Sequence, residues 1–249
     1  MQSSGNTILI TGGGTGIGEA LAHRFHDLGN TVIIAGRRME ALKRAVAGRS
    51  RMHAMTLDVE SASGIAEFAQ RVVTEHAALN VLINNAGIMR AEALGSARDL
   101  GDAEATVTTN LLGPIRLIDG LVDHLGRQPN AAIVNVTSGL AFVPLVSAPT
   151  YSATKAAMHA YTIALREALK GKVEVIELAP PAVQTDLTPG QATRETYQPL
   201  SEFADEVMTL FQQVPTPREI LVKRVAFLRF AEAENRFDQT LAALNAHAA

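Results

Sequence analysis

Tyr151 and Lys155 stand four residues apart in Tyr151-Ser152-Ala153-Thr154-Lys155, within a segment whose apolar spacing predicts a helix through Leu169. That interval places both side chains on one helix face. Tyrosine titrates near about 10 in water, and a neighbouring ammonium favours its charged form. Such a pair suits a general acid for a developing alkoxide, or a general base for alcohol oxidation near neutral pH. Tyr-x-x-x-Lys is a common string and identifies nothing alone. Ser138 adds a third group. It follows the apolar run Ala132-Ile133-Val134-Asn135-Val136, so its hydroxyl is expected at the carboxyl end of a strand. There it can hydrogen-bond a substrate oxygen while Tyr151 moves the proton. The plainer reading of Ser138-Gly139 is a strand-end turn.

A second group of residues suits an anionic cofactor. Thr11-Gly12-Gly13-Gly14-Thr15-Gly16-Ile17-Gly18 follows a short apolar run and opens a helical pattern. Glycines at such a turn let the backbone approach a pyrophosphate, and free N–H groups at the helix start attract its oxygens. Gly12, Gly14, Thr15, Gly16, Ile17 and Gly18 are the expected contacts. A tight turn with packing glycines is the alternative, which the flanking strand and helix count against. Gly12, Gly16 and Gly18 give G-x-x-x-G-x-G, unlike the G-x-G-x-x-G of longer dehydrogenases. The next strand ends at Ala35-Gly36-Arg37-Arg38, with no acid to hold a ribose 2′-hydroxyl. Two guanidinium groups can instead pair with a 2′-phosphate, so NADP(H) is expected over NAD(H). Arginines that only solvate a helix start would give the same string.

These groups need strands and helices to bring them together. Ile8–Ile10, Val32–Ala35, Val81–Ile83, Ala132–Val136 and Val173–Ile176 read as strands, with Met52–Leu57 a weaker candidate. Helical patterns lie between them, for example Ile65, Phe68, Ala69, Val72 and Val73. Strands apolar on both faces, separated by helices, imply a parallel sheet covered on both sides. The expected fold is therefore α/β: one Rossmann-like doubly wound parallel sheet in a single domain over 1–249, with helices on both faces. Residues 187–200 carry Pro189, Gly190 and Pro199 without a period. A loop of that length suggests a substrate lid, drawn here over 187–214 to include a helix Glu202–Val214 capped by Ser201. Glu219–Val222 is ambiguous between edge strand and helix start, and Phe237–Ala246 reads as a terminal helix.

In order and spacing, the glycine turn with Ser138, Tyr151 and Lys155 resembles the short-chain dehydrogenase/reductase family over roughly residues 5–186. The runs around Ser138 and Tyr151, with Ala179-Pro180-Pro181, are similar to its DltE-like oxidoreductases. The resemblance implies an NADP(H)-dependent carbonyl reductase or secondary alcohol dehydrogenase with Tyr151 as general acid/base. It implies further that Arg37 marks NADP preference and that Arg38 lies near the adenine, which Asp58 and Val59 bracket. Asn84-Asn85-Ala86-Gly87 matches the family's N-N-A-G, so Asn85, Ala86 and Gly87 are cofactor contacts. Asn110 matches the fourth catalytic position, where an asparagine holds a water that links the lysine to solvent. Val183 and Thr185 match the residues that fix the nicotinamide carboxamide. Pro181 stands where the family has glycine, which removes an N–H and fixes φ.

The composition sets outer bounds. The chain has 249 residues, 47% hydrophobic and 19% charged, with a net charge of -3 and no cysteine. That excludes disulfides and thiolate metal sites, and gives no electrostatic case for nucleic acid or an anionic membrane. No metal is expected. The apolar runs are far shorter than the roughly 20 residues a membrane span needs, and a cytoplasmic protein is expected. Leu140, Phe142, Val143, Leu145 and Val146, with Leu187 and Tyr197, suggest an apolar pocket for a small carbonyl or alcohol substrate. Their other use is core packing or subunit contact. The family resemblance implies a homodimer or homotetramer paired through helices over 100–125 and 151–169. Two other functions compete: a cofactor-sensing regulator without chemistry, which the presence of Tyr151 and Lys155 disfavours, and a nucleotide-sugar epimerase, which needs a larger C-terminal part.

Overall fold

The computed structural model of the chain describes residues 1–246, so positions 247–249 of the expected domain lie outside it. Its strands are β1 (Thr7–Thr11), β2 (Thr31–Gly36), β3 (Met52–Thr56), β4 (Leu79–Asn84), β5 (Ala132–Val136), β6 (Glu174–Leu178) and β7 (Glu219–Ile220). They form one seven-stranded sheet in the order β3-β2-β1-β4-β5-β6-β7, and every pairing is parallel. The chain winds outward from β1 to β3, returns to place β4 on the other side of β1, and winds outward again. That reversal opens a crevice beyond the carboxyl ends of β1 and β4, where open α/β sheets bind ligands.

Nine helices accompany the strands among the described residues. They are α1 (Gly16–Asp27), α2 (Met39–Val46), α3 (Ala62–Glu75), α4 (Gly101–Val107), α5 (Gly113–Leu125), α6 (Pro149–Ala168), α7 (Leu200–Phe211), α8 (Ala226–Arg229) and α9 (Phe237–Asn245). Alternation along β1 explains the two cores. Ile8 and Ile10 pack with Phe25 of α1, Leu42 of α2 and Phe203 of α7 on one face. Leu9 points the other way, with Phe68 of α3 and Leu117 of α5. Because both faces are buried, these strands carry continuous β-branched runs instead of alternating polar residues.

The structure departs from expectation mainly after β6. The ambiguous Glu219–Val222 begins as the two-residue edge strand β7. Helix α7 starts at Leu200 with Pro199 in the cap position, not Ser201, and ends at Phe211. Phe203, Val207 and Phe211 are buried along it, and the Phe211 ring meets Phe25 of α1 edge-on at 5.5 Å. An apolar stripe at helical spacing has docked on the core. Within the span 187–214 expected as a lid, α7 is thus a core-packed helix, with no α-helix before it from 187 or after it at 212–214. The terminal helix stops at Asn245, one residue early.

Candidate active site

The glycine turn folds as its composition requires. Gly12 and Gly16 have φ of 66° and 57°, the left-handed region that a side chain resists. A Cβ on Gly18 would lie 2.3 Å from the Gly12 carbonyl oxygen, so Gly18 lets the helix pack against the turn. No side chain caps α1. The amides of its first turn therefore point into the crevice without helical partners. The turn is braced from beneath by Asn85, whose Nδ2 donates to the Thr11 carbonyl oxygen at 2.9 Å. The Thr11 hydroxyl in return accepts from the backbone N–H groups of Asn85 and Ala86.

A cleft of about 520 Å³ runs from this turn along the carboxyl edge of the sheet. Gly12, Gly14, Thr15, Gly16 and Ile17 line it at the centre, and Arg37, Arg38 and Val59 at one end. Asn85, Ala86 and Gly87 line the floor, and Ser138, Tyr151, Lys155, Pro181, Val183 and Thr185 the other end. Three expected residues do not line it. Gly18 sits behind the turn. Asp58 is exposed, and its carboxylate accepts the Glu60 N–H at 3.1 Å, the work of a turn residue. Asn110 is buried one layer back.

At the proton-transfer end, α6 presents Tyr151 and Lys155 one turn apart, 7% and 5% exposed. Burial, opposed by the Ser138 hydroxyl, pushes the Tyr151 phenol up to about 12. Burial brings the Lys155 ammonium down to about 8. The lowered tyrosine expected from the spacing is thus reversed in the protein alone. Lys155 Nζ donates to the Val136 carbonyl oxygen at 2.8 Å and lies 5.6 Å from the phenol ring centroid. Removal from water is the larger cause, and the Ser138 hydroxyl opposes it. Ser138 Oγ accepts the Leu140 N–H at 3.1 Å, which leaves its own proton free to donate. The start of α6 is fixed by Glu92, whose carboxylate accepts both the N–H and the hydroxyl of Thr150.

Asn110 lies in a π-turn, Thr108–Leu112, that joins α4 to α5. Its side chain clasps the backbone of Ile88, accepting from N–H at 2.9 Å and donating to the carbonyl at 2.8 Å. This clasp fixes the strand-end loop after Gly87. A π-turn inserted in a helix is a recurrent feature of functional sites.

Sequence reading missed Gln191, which is buried in the loop 187–199. Its Nε2 donates to the Val183 carbonyl oxygen at 2.8 Å and to the Thr185 hydroxyl at 3.1 Å. Thr185 therefore accepts from the protein and keeps its proton for a ligand. A polar residue in an aperiodic loop gave no signal of this. Arg90 was missed as well; it lines the cleft 3.6 Å from Asp102. The expected apolar pocket is not assembled. Of its residues only Leu187 lines the cleft. Val143 is packed on Leu228 and Ala231, and Phe142 lies between His159 and Arg229.

The lining fits a phosphorylated dinucleotide. A glycine cradle with unpaired helix-start amides suits a pyrophosphate, two guanidiniums suit a further phosphate, and buried hydroxyls lie at the far end. Among the described residues no three His, Asp or Glu side chains converge as metal ligands. Among the same residues no helix is long and apolar enough to cross a membrane.

Comparison with known proteins agrees with this geometry. The model of the family described as short chain dehydrogenase matches residues 6–196. The oxidoreductase DltE of Bacillus subtilis strain 168 is 41% identical over 205 residues, 81% of each chain. Sulfoacetaldehyde reductase 2 of Chromohalobacter salexigens is 31% identical over 186 residues, 73% of this chain and 74% of its own. Among solved structures, a short chain dehydrogenase from Burkholderia cenocepacia J2315 in complex with NADP has a TM-score of 0.83 at 26% identity, covering 98% of both chains.

Proposed function

The chain belongs to the short-chain dehydrogenase family, and from that premise we propose an NADP(H)-dependent carbonyl reductase, reversible as a secondary alcohol dehydrogenase. One observation carries the reading. Ser138, Tyr151 and Lys155 open onto the same cleft as the glycine turn and the two arginines. The cofactor-bound neighbour and the relative named for aldehyde reduction support it.

When bound, NADPH supplies the hydride; the protein supplies position and a proton. The first-turn amides of α1 would hold the pyrophosphate, Arg37 and Arg38 the 2′-phosphate, and Thr185 with the Val183 backbone the carboxamide. Ser138 donates a hydrogen bond to the substrate oxygen, and Tyr151 delivers its phenolic proton as that oxygen gains charge. A phenol raised to about 12 is protonated at neutral pH, ready for reduction. Alcohol oxidation needs the phenolate and is correspondingly favoured by alkaline pH. Lys155, cationic below about 8, steadies the developing negative charge on Tyr151. Asn110 holds the Ile88 backbone that forms the cleft wall beside it. The loop 187–199 acts as the lid over a small-molecule carbonyl. Leu112 and Ile163 stay exposed on the faces where a homodimer or homotetramer would pair.

The test is NADPH oxidation by purified protein across aliphatic, aryl and β-keto carbonyls, with NADH in parallel. Turnover with at least one class is expected. NADPH binding without oxidation by any of them would overturn the assignment.

A further inference from the structure

Arg37, the expected anchor of the 2′-phosphate, is already paired. Its Nη1 lies 3.1 Å from Glu60 Oε1. The same oxygen accepts the hydroxyl of Thr109 at 2.9 Å. Thr109 is buried in the π-turn, on a different element from the arginines. Glu60 therefore stays in place whichever way Arg37 turns. Its side chain is 33% exposed, so water screens the charge only in part. The neighbouring Asp58 carboxylate receives the Glu60 N–H and stays off the cleft lining, so Glu60 is the acid that meets a guanidinium at this end.

From this arrangement, and resting on the NADP(H) reading above, we infer that Glu60 is a specificity-determining residue that restrains preference for NADPH over NADH. Arg37 keeps its Nε and Nη2 donors for a phosphate, so the pair does not block NADPH. A phosphate on the same guanidinium still lies within a few ångströms of the Glu60 charge, and like charges at that range repel appreciably even in water. NADH carries a neutral 2′-hydroxyl there and escapes the repulsion. The sequence offers a motive for misreading this end: Arg37-Arg38 alone suggests an uncompensated cationic patch, and the compensating acid arrives from another strand end.

The experiment is equilibrium binding of NADPH and of NADH to the full-length protein, followed by nicotinamide fluorescence, which needs no substrate. Wild type is compared with Glu60→Gln and Glu60→Ala, each checked for an unchanged melting temperature. Both variants should raise the ratio Kd(NADH)/Kd(NADPH) by roughly three- to tenfold, through tighter NADPH binding. The Kd for NADH should move by less than about twofold. An unchanged or lower ratio would overturn the inference and leave Glu60 as a residue that merely steadies Arg37. A wild type that binds neither dinucleotide would overturn the cofactor reading and this inference with it. A wild type that binds both, with a ratio the variants do not raise, would overturn this inference alone.

Discussion

The cofactor side of the cleft, built on the glycine turn, and its proton-transfer end work by different means. At the glycine turn the functional groups are backbone amides, and side chains are absent so that a ligand or another helix can come close. At the proton-transfer end they are side chains, Tyr151 and Lys155, almost wholly removed from water. The first end is shaped by sterics and is indifferent to pH. The second is shaped by the cost of burying charge, which moves both titrations away from their ordinary values. One end should therefore break on adding a methyl group, the other on losing a proton.

The largest effect is expected at Lys155. Lys155→Met should lower reductase kcat/KM by about a thousandfold, the upper range for a proton-transfer component. The same change should raise stability. Burial brings the ammonium from 10.5 down to about 8, a penalty of about 3 kcal/mol at neutral pH. The lost bond to the Val136 carbonyl returns about 1–2 kcal/mol of that. The net is a melting temperature a few degrees higher, which calorimetry would read. A fall of several degrees would mean that Lys155 is mainly structural.

Gly18→Ala tests the other end. The added Cβ would meet backbone 2.3 Å away, so the turn must shift. NADPH affinity should fall at least about tenfold, with about 1–3 kcal/mol lost in stability. Gly14→Ala is the milder comparison, because its Cβ would meet a Leu42 methyl at 3.2 Å and the Leu42 backbone nitrogen at 3.3 Å, roughly an ångström farther than at Gly18. Its effect should be smaller in the same binding titration. Equal losses would show that the turn is not held by close approach.

A smaller effect, confined to the proton-transfer end, is expected with pH. Tyr151 stays protonated to about 12, so the alkaline limb of carbonyl reduction comes from Lys155. kcat/KM should decline as pH rises through about 8, while Kd for NADPH, set at the turn, should show no break there. The stability sign is separate. The folded pKa of Lys155 lies below its unfolded 10.5, so the unfolded chain binds more protons between about 8 and 10.5. Wild type should therefore gain stability relative to Lys155→Met across that window. A relative loss would reverse the assignment of burial as the cause.

Sequence legibility followed the same division. The glycine turn, the paired arginines and the α6 face were readable because local spacing determines them. The sheet was readable from β-branched runs buried on both faces. The π-turn at Asn110 was not, since Thr108–Leu112 keeps a helical apolar pattern and the switch lies in the backbone bonds alone. Gln191 and Glu60 gain their roles from partners on other elements, which no local pattern encodes. The apolar run 140–146 misled for a related reason: Val143 and Phe142 pack on residues from the last quarter of the chain. Helix α7 shows the converse, with a stripe at helical spacing that packs on the core.

The central claim is that the two ends are separable, one holding the cofactor and the other moving the proton. Tyr151→Phe removes a single oxygen from the second end. With any carbonyl that wild type reduces, the account expects NADPH binding within about twofold of wild type and turnover lower by at least about a hundredfold. Retained turnover, with the cofactor bound, would contradict it.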